Sequence, residues 1–151
     1  MASNSRLAIA IHTAGMLAVM KDCGHLSSDK IAESVSTNSV VIRRIIGLLV
    51  KHNLVEVQMG TGGGSRLTRA PNEITLAEIY LALEEGALFQ VPMLEEAHCC
   101  NLGITVRPVI AEVLQEAESE MIKKLQKITL ADVMQKVKNR LIESGVFKEK
   151  T

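Results

Sequence analysis

The sequence has no tryptophan, and aromatic residues make up only 2% of its 151 positions. Its core must therefore be aliphatic, and abundant Leu, Ile, Val and Ala with so few rings favours helices. No apolar run approaches the roughly 18–20 residues that span a bilayer. The opening M-A-S-N-S-R-L has no signal-peptide layout, so a soluble, cytoplasmic protein with no membrane partner is expected. Only three cysteines occur, Cys23, Cys99 and Cys100, and an odd count without a secretory signal excludes a disulfide framework. Formal net charge is zero, which argues against a generic polyanion binder. No carboxylate pair, nucleophile–base spacing or complete metal motif stands out, so neither an enzyme nor a metal site or cofactor is expected. Cys23 and His25 lie two apart, too little alone for a metal. No internal repeat or low-complexity segment stands out.

What is present is a 47% hydrophobic chain of a length that suits one domain, or a small domain with an appendage. Charge is divided along it. Residues 1–69 hold eight Lys/Arg against four Asp/Glu, and residues 70–151 hold nine against thirteen. A basic front and an acidic back are expected if only the front meets nucleic acid.

The organising stretch is S-V-S-T-N-S-V-V-I-R-R-I-I-G-L-L-V-K-H-N-L, residues 34–54. Thr37 or Asn38 can cap a helix over 38–52, with Val41, Ile45, Leu48 and Leu49 as its buried stripe. The outer stripe, Val40, Arg43, Arg44, Gly47 and Lys51, is basic, and Gly47 permits close approach to a surface. A short helix at 26–35, capped by Ser27 or Ser28, precedes it. Helix, tight turn and basic-faced helix is how a chain presents a rod to the major groove. An ordinary amphipathic surface helix would show the same basic face.

Around this stretch, residues 5–20 read as a buried first helix, Leu7, Ile11, Ala14 and Leu17 forming one stripe and Ala8, Ile9, Ala18 and Val19 widening it to most of the circumference. His12 sits inside it as a hydrogen-bonded packing residue. Residues 54–59 alternate as a strand, G-T-G-G-G follows at 60–64, and 65–69 return as a second strand: a β-ribbon, or wing. No Lys-Ser/Thr and no helix follow these glycines, so a P-loop fails on context. A helix is expected over 74–83, capped by Asn72 or Thr75. Arg107-Pro108 is expected to open a long helix ending near Lys127, because Pro suits a first helical turn. Its apolar side, Ile110, Val113, Leu114, Ala117, Met121, Leu125 and Ile128, needs a cover: the same helix of a second copy, or the final helix that starts at Thr129.

Together these segments resemble the Rrf-two family of bacterial winged-helix repressors, whose members include iron–sulfur, nitrite-responsive and cysteine-metabolism regulators. The resemblance rests on S-R-L-A-I-A-I-H at 5–12, I-A-E-S-V-S-T-N-S-V-V-I-R-R-I at 31–45, G-T-G-G-G-S-R-L at 60–67, E-I-T-L-A-E-I-Y-L-A-L-E at 73–84 and I-T-L-A-D-V at 128–133. It implies a mainly α fold with a two-stranded wing: a DNA-binding domain at 1–85, a loop at 86–104 that is a candidate sensor, and dimerisation helices at 105–151. It also implies a homodimer on a palindromic operator in double-stranded DNA. Cluster-binding members carry three cysteines, each separated by five residues, before the long helix. Cys100 matches the last, but the other two positions are Leu94 and Leu88, which places this chain in the cluster-free branch. Met59 stands where an Arg often precedes the wing glycines, and Arg43 replaces an acidic residue of the iron–sulfur members, so a different operator is expected.

The residues expected to meet DNA are Thr37, Asn38, Ser39, Val40, Arg43, Arg44 and Lys51, with Gly62, Gly63 and Arg66 from the wing. Cys99 and Cys100 are candidates for a redox-sensing pair. Two other readings stand beside a DNA-binding regulator: a thiol-based redox sensor, and a winged-helix module that docks a metabolic enzyme. The effector, protein or small molecule, has no signature in the residues.

Overall fold

Apolar spacing of three and four carries most of the chain into helices. The computed structural model describes residues 3–83, 88–89, 91 and 101–146. Six α-helices and one two-stranded antiparallel sheet occur among them: α1 (Ser3–Val19), α2 (Ser28–Val35), α3 (Ser39–Lys51), β1 (Val55–Gln58), β2 (Gly64–Leu67), α4 (Leu76–Leu83), α5 (Asn101–Gln126) and α6 (Leu130–Glu143).

The core gathers Ala10, Ala14 and Leu17 of α1, Ile31 and Ala32 of α2, Ile42, Ile45, Ile46 and Leu49 of α3, Ile79 and Leu83 of α4, and Leu130. In α3 the buried stripe keeps Ile45 and Leu49 of the expected one and differs at the other two positions. Ile42 and Ile46 are inside, whereas Val41 and Leu48 are half-buried flanks. The helix has apolar residues on too many phases for periodicity alone to choose; packing against α2 and α4 chooses. Neither is α1 buried all round: Val19 and Ala8 are exposed. His12 is also exposed, and its Nε2 lies 3.3 Å from Ser34 Oγ.

The wing pairs Val55 with Leu67, Glu56 with Arg66, Val57 with Ser65 and Gln58 with Gly64. Leu26, expected in the second helix, is extended instead. Its N–H donates to Ser65 O and its carbonyl accepts from Ser65 N, both at 2.9 Å, so the chain entering α2 is tied to the wing.

The long helix begins at Asn101, before the expected Arg107, and Pro108 lies within it. Proline there leaves the Ile104 carbonyl without its helical donor. Both residues are exposed, so water can take that carbonyl. Helix α6 does not lie along α5. It packs on α1 and on the 3-10 turn Pro71–Glu73. Gly15 of α1 makes room for it: a Cβ there would come within 2.7 Å of the Met134 sulfur.

A five-residue repeat, which sequence reasoning missed, joins the two halves. I-T-L-A-E at 74–78 and I-T-L-A-D at 128–132 meet antiparallel at Thr75 and Thr129. Leu76 N–H donates to Ile128 O at 2.9 Å, and Leu130 N–H to Ile74 O at 2.8 Å. Each segment then caps its own helix. Thr75 N–H donates to Glu78 Oε2 at 2.8 Å, and Thr129 N–H to Asp132 Oδ2 at 2.8 Å. The cap of α4 is thus Thr75, and Asn72 belongs to the preceding turn.

Burial pushes the Glu78 carboxyl up, but the Thr75 backbone N–H, the Arg69 guanidinium and the Thr75 hydroxyl outweigh it and hold Glu78 below the ordinary glutamate value. The Thr129 backbone N–H and hydroxyl likewise hold Asp132 low. Such groups stabilise the fold fully above the unfolded carboxylate pKa, and the gain is lost as pH falls through the lower folded value. A Glu78→Gln variant is expected to lose about 0.5–1 kcal/mol at neutral pH. Its stability should also fall less steeply with acid, as urea titrations at several pH values would show.

Candidate nucleic-acid interface

The turn between α2 and α3 is built by backbone geometry. Ser27 caps α2, its hydroxyl accepting from Lys30 N–H at 3.4 Å. Ser36 takes a left-handed conformation (φ 58°), letting Thr37 N–H reach Ala32 O at 3.0 Å and ending the helix. Asn38 then caps α3, its Oδ1 accepting from Val40 N–H at 2.8 Å. At the far end Asn53 (φ 55°) closes α3 in the same way, with Asn53 N–H on Val50 O and Leu54 N–H on Leu49 O, both 3.0 Å.

Four buried side chains anchor α3, each worth about 1.5–3 kcal/mol. An exposed ion pair contributes about 0.2–1 kcal/mol, so the core decides which face points outward. That face carries Val40, Arg43, Arg44, Gly47 and Lys51, all exposed, with Asn38 at its start. Thr37 and Ser39 flank it half-buried. Nothing lies within 4 Å of a Cβ built on Gly47, so the protein's own packing does not require glycine there. Gly47→Ala is expected to raise stability by about 0.5–1 kcal/mol, read from the thermal midpoint. The same change should weaken any partner that needs the bare backbone.

The basic side chains are not equivalent. Arg43 Nη2 lies 3.3 Å from Asp29 Oδ1, and its Nε donates to Ser28 Oγ at 3.2 Å. Arg66 pairs with Glu56 directly across the wing. Arg69 is taken by Glu78 Oε1 at 2.7 Å and by the Glu73 carbonyl at 3.0 Å. Among the described residues, no partner holds Arg44 or Lys51. Met59 is 87% exposed at the wing tip.

The wing glycines divide by role. Gly60 (φ 91°) and Gly62 (φ 75°) supply left-handed turns in open space. Gly63 lies against its own turn, where a Cβ would meet Gln58 O at 2.2 Å, and Gly64 lies against the Leu26 backbone. The absent side chain at Gly63 is thus explained by the turn itself.

The expected dimerisation stripe splits. Leu125 packs against the core and Met121 is half-buried. Leu114 joins Leu81, Phe89 and Val91 along a groove between α4 and α5. Ile110, Val113 and Ala117 remain exposed, and Leu102, Val106 and Val109, which sequence reasoning missed, extend the bare apolar surface toward Asn101. Glu118 was also missed. It accepts from Tyr80 Oη at 2.8 Å and from Leu88 N–H at 3.3 Å, fastening α4 and residue 88 to α5. A contact 38 residues apart leaves no local signal.

The helix–turn–helix with a two-stranded ribbon behind it defines a winged-helix DNA-binding fold, and the comparisons agree. The profile of the family described as Rrf2, iron-dependent transcriptional regulator, matches residues 3–136. YwnA of Bacillus subtilis (strain 168), named as a candidate HTH-type transcriptional regulator, is 35% identical over 132 residues, 87% of this chain and 96% of that protein. A crystal structure described as a candidate DNA-binding protein is 32% identical, with a TM-score of 0.66, over 85% of this chain and 98% of the other. A candidate transcriptional regulator from Lactobacillus plantarum shares the fold at a TM-score of 0.77 and 19% identity, over 90% of this chain and 91% of the other. The chain belongs to the Rrf2 family of transcriptional regulators. It is a regulator and not an enzyme.

The description of the family names iron. Leu88 stands at one expected ligand position and offers only a hydrocarbon side chain, its N–H engaged by Glu118. Among the described residues no cluster of three His, Cys, Asp or Glu could hold a metal. Leu94, Cys99 and Cys100 lie outside the described residues. Cys23, which is described, is an exposed free thiol. No described helix is long and apolar enough to cross a membrane.

Proposed function

We propose that this regulator is a dimeric repressor that binds a palindromic operator in double-stranded DNA through α3 and the wing, residues 38–52 and 60–66. The carrying observation is the outer face of α3, basic along its length and held outward by four core anchors. In this reading Arg43, Arg44 and Lys51 contact base edges or phosphates, and Thr37, Asn38, Ser39 and Val40 approach the DNA at the helix start. Gly62, Gly63 and Arg66 reach the neighbouring groove. Residues 1–85 form the DNA-binding part, and a second copy covers the bare apolar surface of α5, since α6 is engaged elsewhere. Two α3 helices held about one helical turn of DNA apart then read two half-sites.

Arg43→Ala tests the assignment. It is expected to weaken operator binding by about 1–3 kcal/mol and to relax sequence preference at one position per half-site, measured by anisotropy titration against a panel of substituted duplexes. Equal loss on every duplex would reduce Arg43 to a phosphate contact.

A further inference from the structure

The outer face of α3 carries one large apolar side chain among its cations. Val40 stands one turn before Arg43 and Arg44 and is 63% exposed. Its neighbour Val41 packs against the buried cluster, whereas Val40 is no part of that packing among the described residues. The helix does not need it either, since valine is a poorer helix former than alanine at an exposed position. The position is nevertheless well fixed. Val40 N–H donates to Asn38 Oδ1 at 2.8 Å, the bond that caps α3, so its backbone is pinned at the helix start. A β-branched side chain in a helix keeps essentially one χ1 rotamer. The two Val40 methyl groups are therefore held in place before any partner arrives, whereas the long side chains of Arg44 and Lys51 must be ordered on contact.

We infer that Val40 is a specificity-determining residue that reads the C5-methyl group of a thymine in the major groove. The inference rests on the reading of α3 as the helix that enters that groove. There the first residues of such a helix lie nearest the base edges. Helical side chains also lean toward the helix N-terminus, so Val40 leans toward the end that meets the bases. Valine has neither donor nor acceptor. Against adenine, guanine or cytosine it would strip water from polar groups whose hydrogen bonds it cannot replace. Thymine alone of the four bases sets a methyl group in the major groove. Burying methyl against methyl favours that base without any help from charge, unlike a phosphate contact, which gains equally on every duplex. Arg43 follows three residues on, about 4.5 Å along the helix axis, so the two side chains can address neighbouring base pairs.

The test replaces each thymine of the operator recovered by selection, one at a time, with deoxyuridine. That change removes the methyl group and leaves the pairing and hydrogen-bonding groups as they were. The parent and Val40→Ala are titrated by anisotropy against each duplex and against an unrelated duplex of equal length. Alanine at this exposed helical position keeps the fold, which circular dichroism checks. For the parent, deoxyuridine at one thymine of a half-site is expected to cost about three- to five-fold in affinity. Val40→Ala should bind the unmodified operator about three- to five-fold more weakly and respond less than about 1.5-fold to deoxyuridine at that thymine. Its affinity for the unrelated duplex, which rests on charge, should change by less than about two-fold. An operator with no sensitive thymine would overturn the inference. So would a sensitive thymine to which Val40→Ala responds as strongly as the parent, or an equal loss by Val40→Ala on the unrelated duplex. A parent protein that binds neither duplex would defeat the DNA-binding reading itself, and the inference with it.

Discussion

Replacing Ile110 and Val113 together by aspartate is expected to yield a folded monomer and to lower operator affinity by at least about 100-fold. Both residues are exposed on α5 and neither belongs to the core cluster, so the fold itself should survive. They continue a bare apolar stripe that also includes Leu102, Val106 and Val109. Such a surface on one helix needs a cover, and α6 is occupied by α1 and the Pro71–Glu73 turn. Under a second copy, two carboxylates per chain would enter an apolar interface unpaired, at a cost of several kcal/mol each. Separated chains then bind half-sites one at a time, without the linkage that makes the second contact intramolecular. Sedimentation velocity gives the mass, circular dichroism the fold and anisotropy the affinity. A variant that remains a dimer would remove α5 from the interface.

Gly64→Ala is expected to destabilise the protein by at least about 2 kcal/mol and to disorder the wing. At φ 146° the added Cβ would stand 2.6 Å from the carbonyl carbon and oxygen of Leu26. Those are backbone atoms that cannot swing aside, and that oxygen, with the Leu26 N–H, makes the two hydrogen bonds joining Leu26 to Ser65. Losing that bridge would separate the wing from the start of α2, and with it the fixed geometry between wing and α3. Gly60→Ala is the control. It also carries a positive φ, but a Cβ there meets nothing within 4 Å, so a loss of only about 1 kcal/mol is expected. Urea unfolding of the two variants separates a clash from backbone strain.

Local chemistry made much of the fold readable. Ser27 and Asn38, each one of two candidates, cap the helices they were expected to cap. The ribbon followed from alternation around glycines. What escaped depended on contacts distant in sequence. The phase of α3 is set by its neighbours, since Val41, Ile42, Ile45, Ile46, Leu48 and Leu49 offer two adjacent stripes. The start of α5 was misplaced because proline favours a first turn, yet an exposed interior position tolerates it. The echo of I-T-L-A-E in I-T-L-A-D is visible in the letters, but only pairing of Thr75 with Thr129 gives it meaning. At the DNA-facing surface, sequence supplied the arginines but not their state. Asp29 lies 14 residues before Arg43 and Glu56 ten before Arg66, and only the folded chain joins them.

Selection of binding sites by the purified protein from a pool of random duplexes tests the central claim most directly. The account predicts enrichment of one inverted repeat whose half-site centres lie about 10 base pairs, or a multiple of that, apart. Enrichment of a single unrepeated half-site, or of no sequence at low salt, would contradict it.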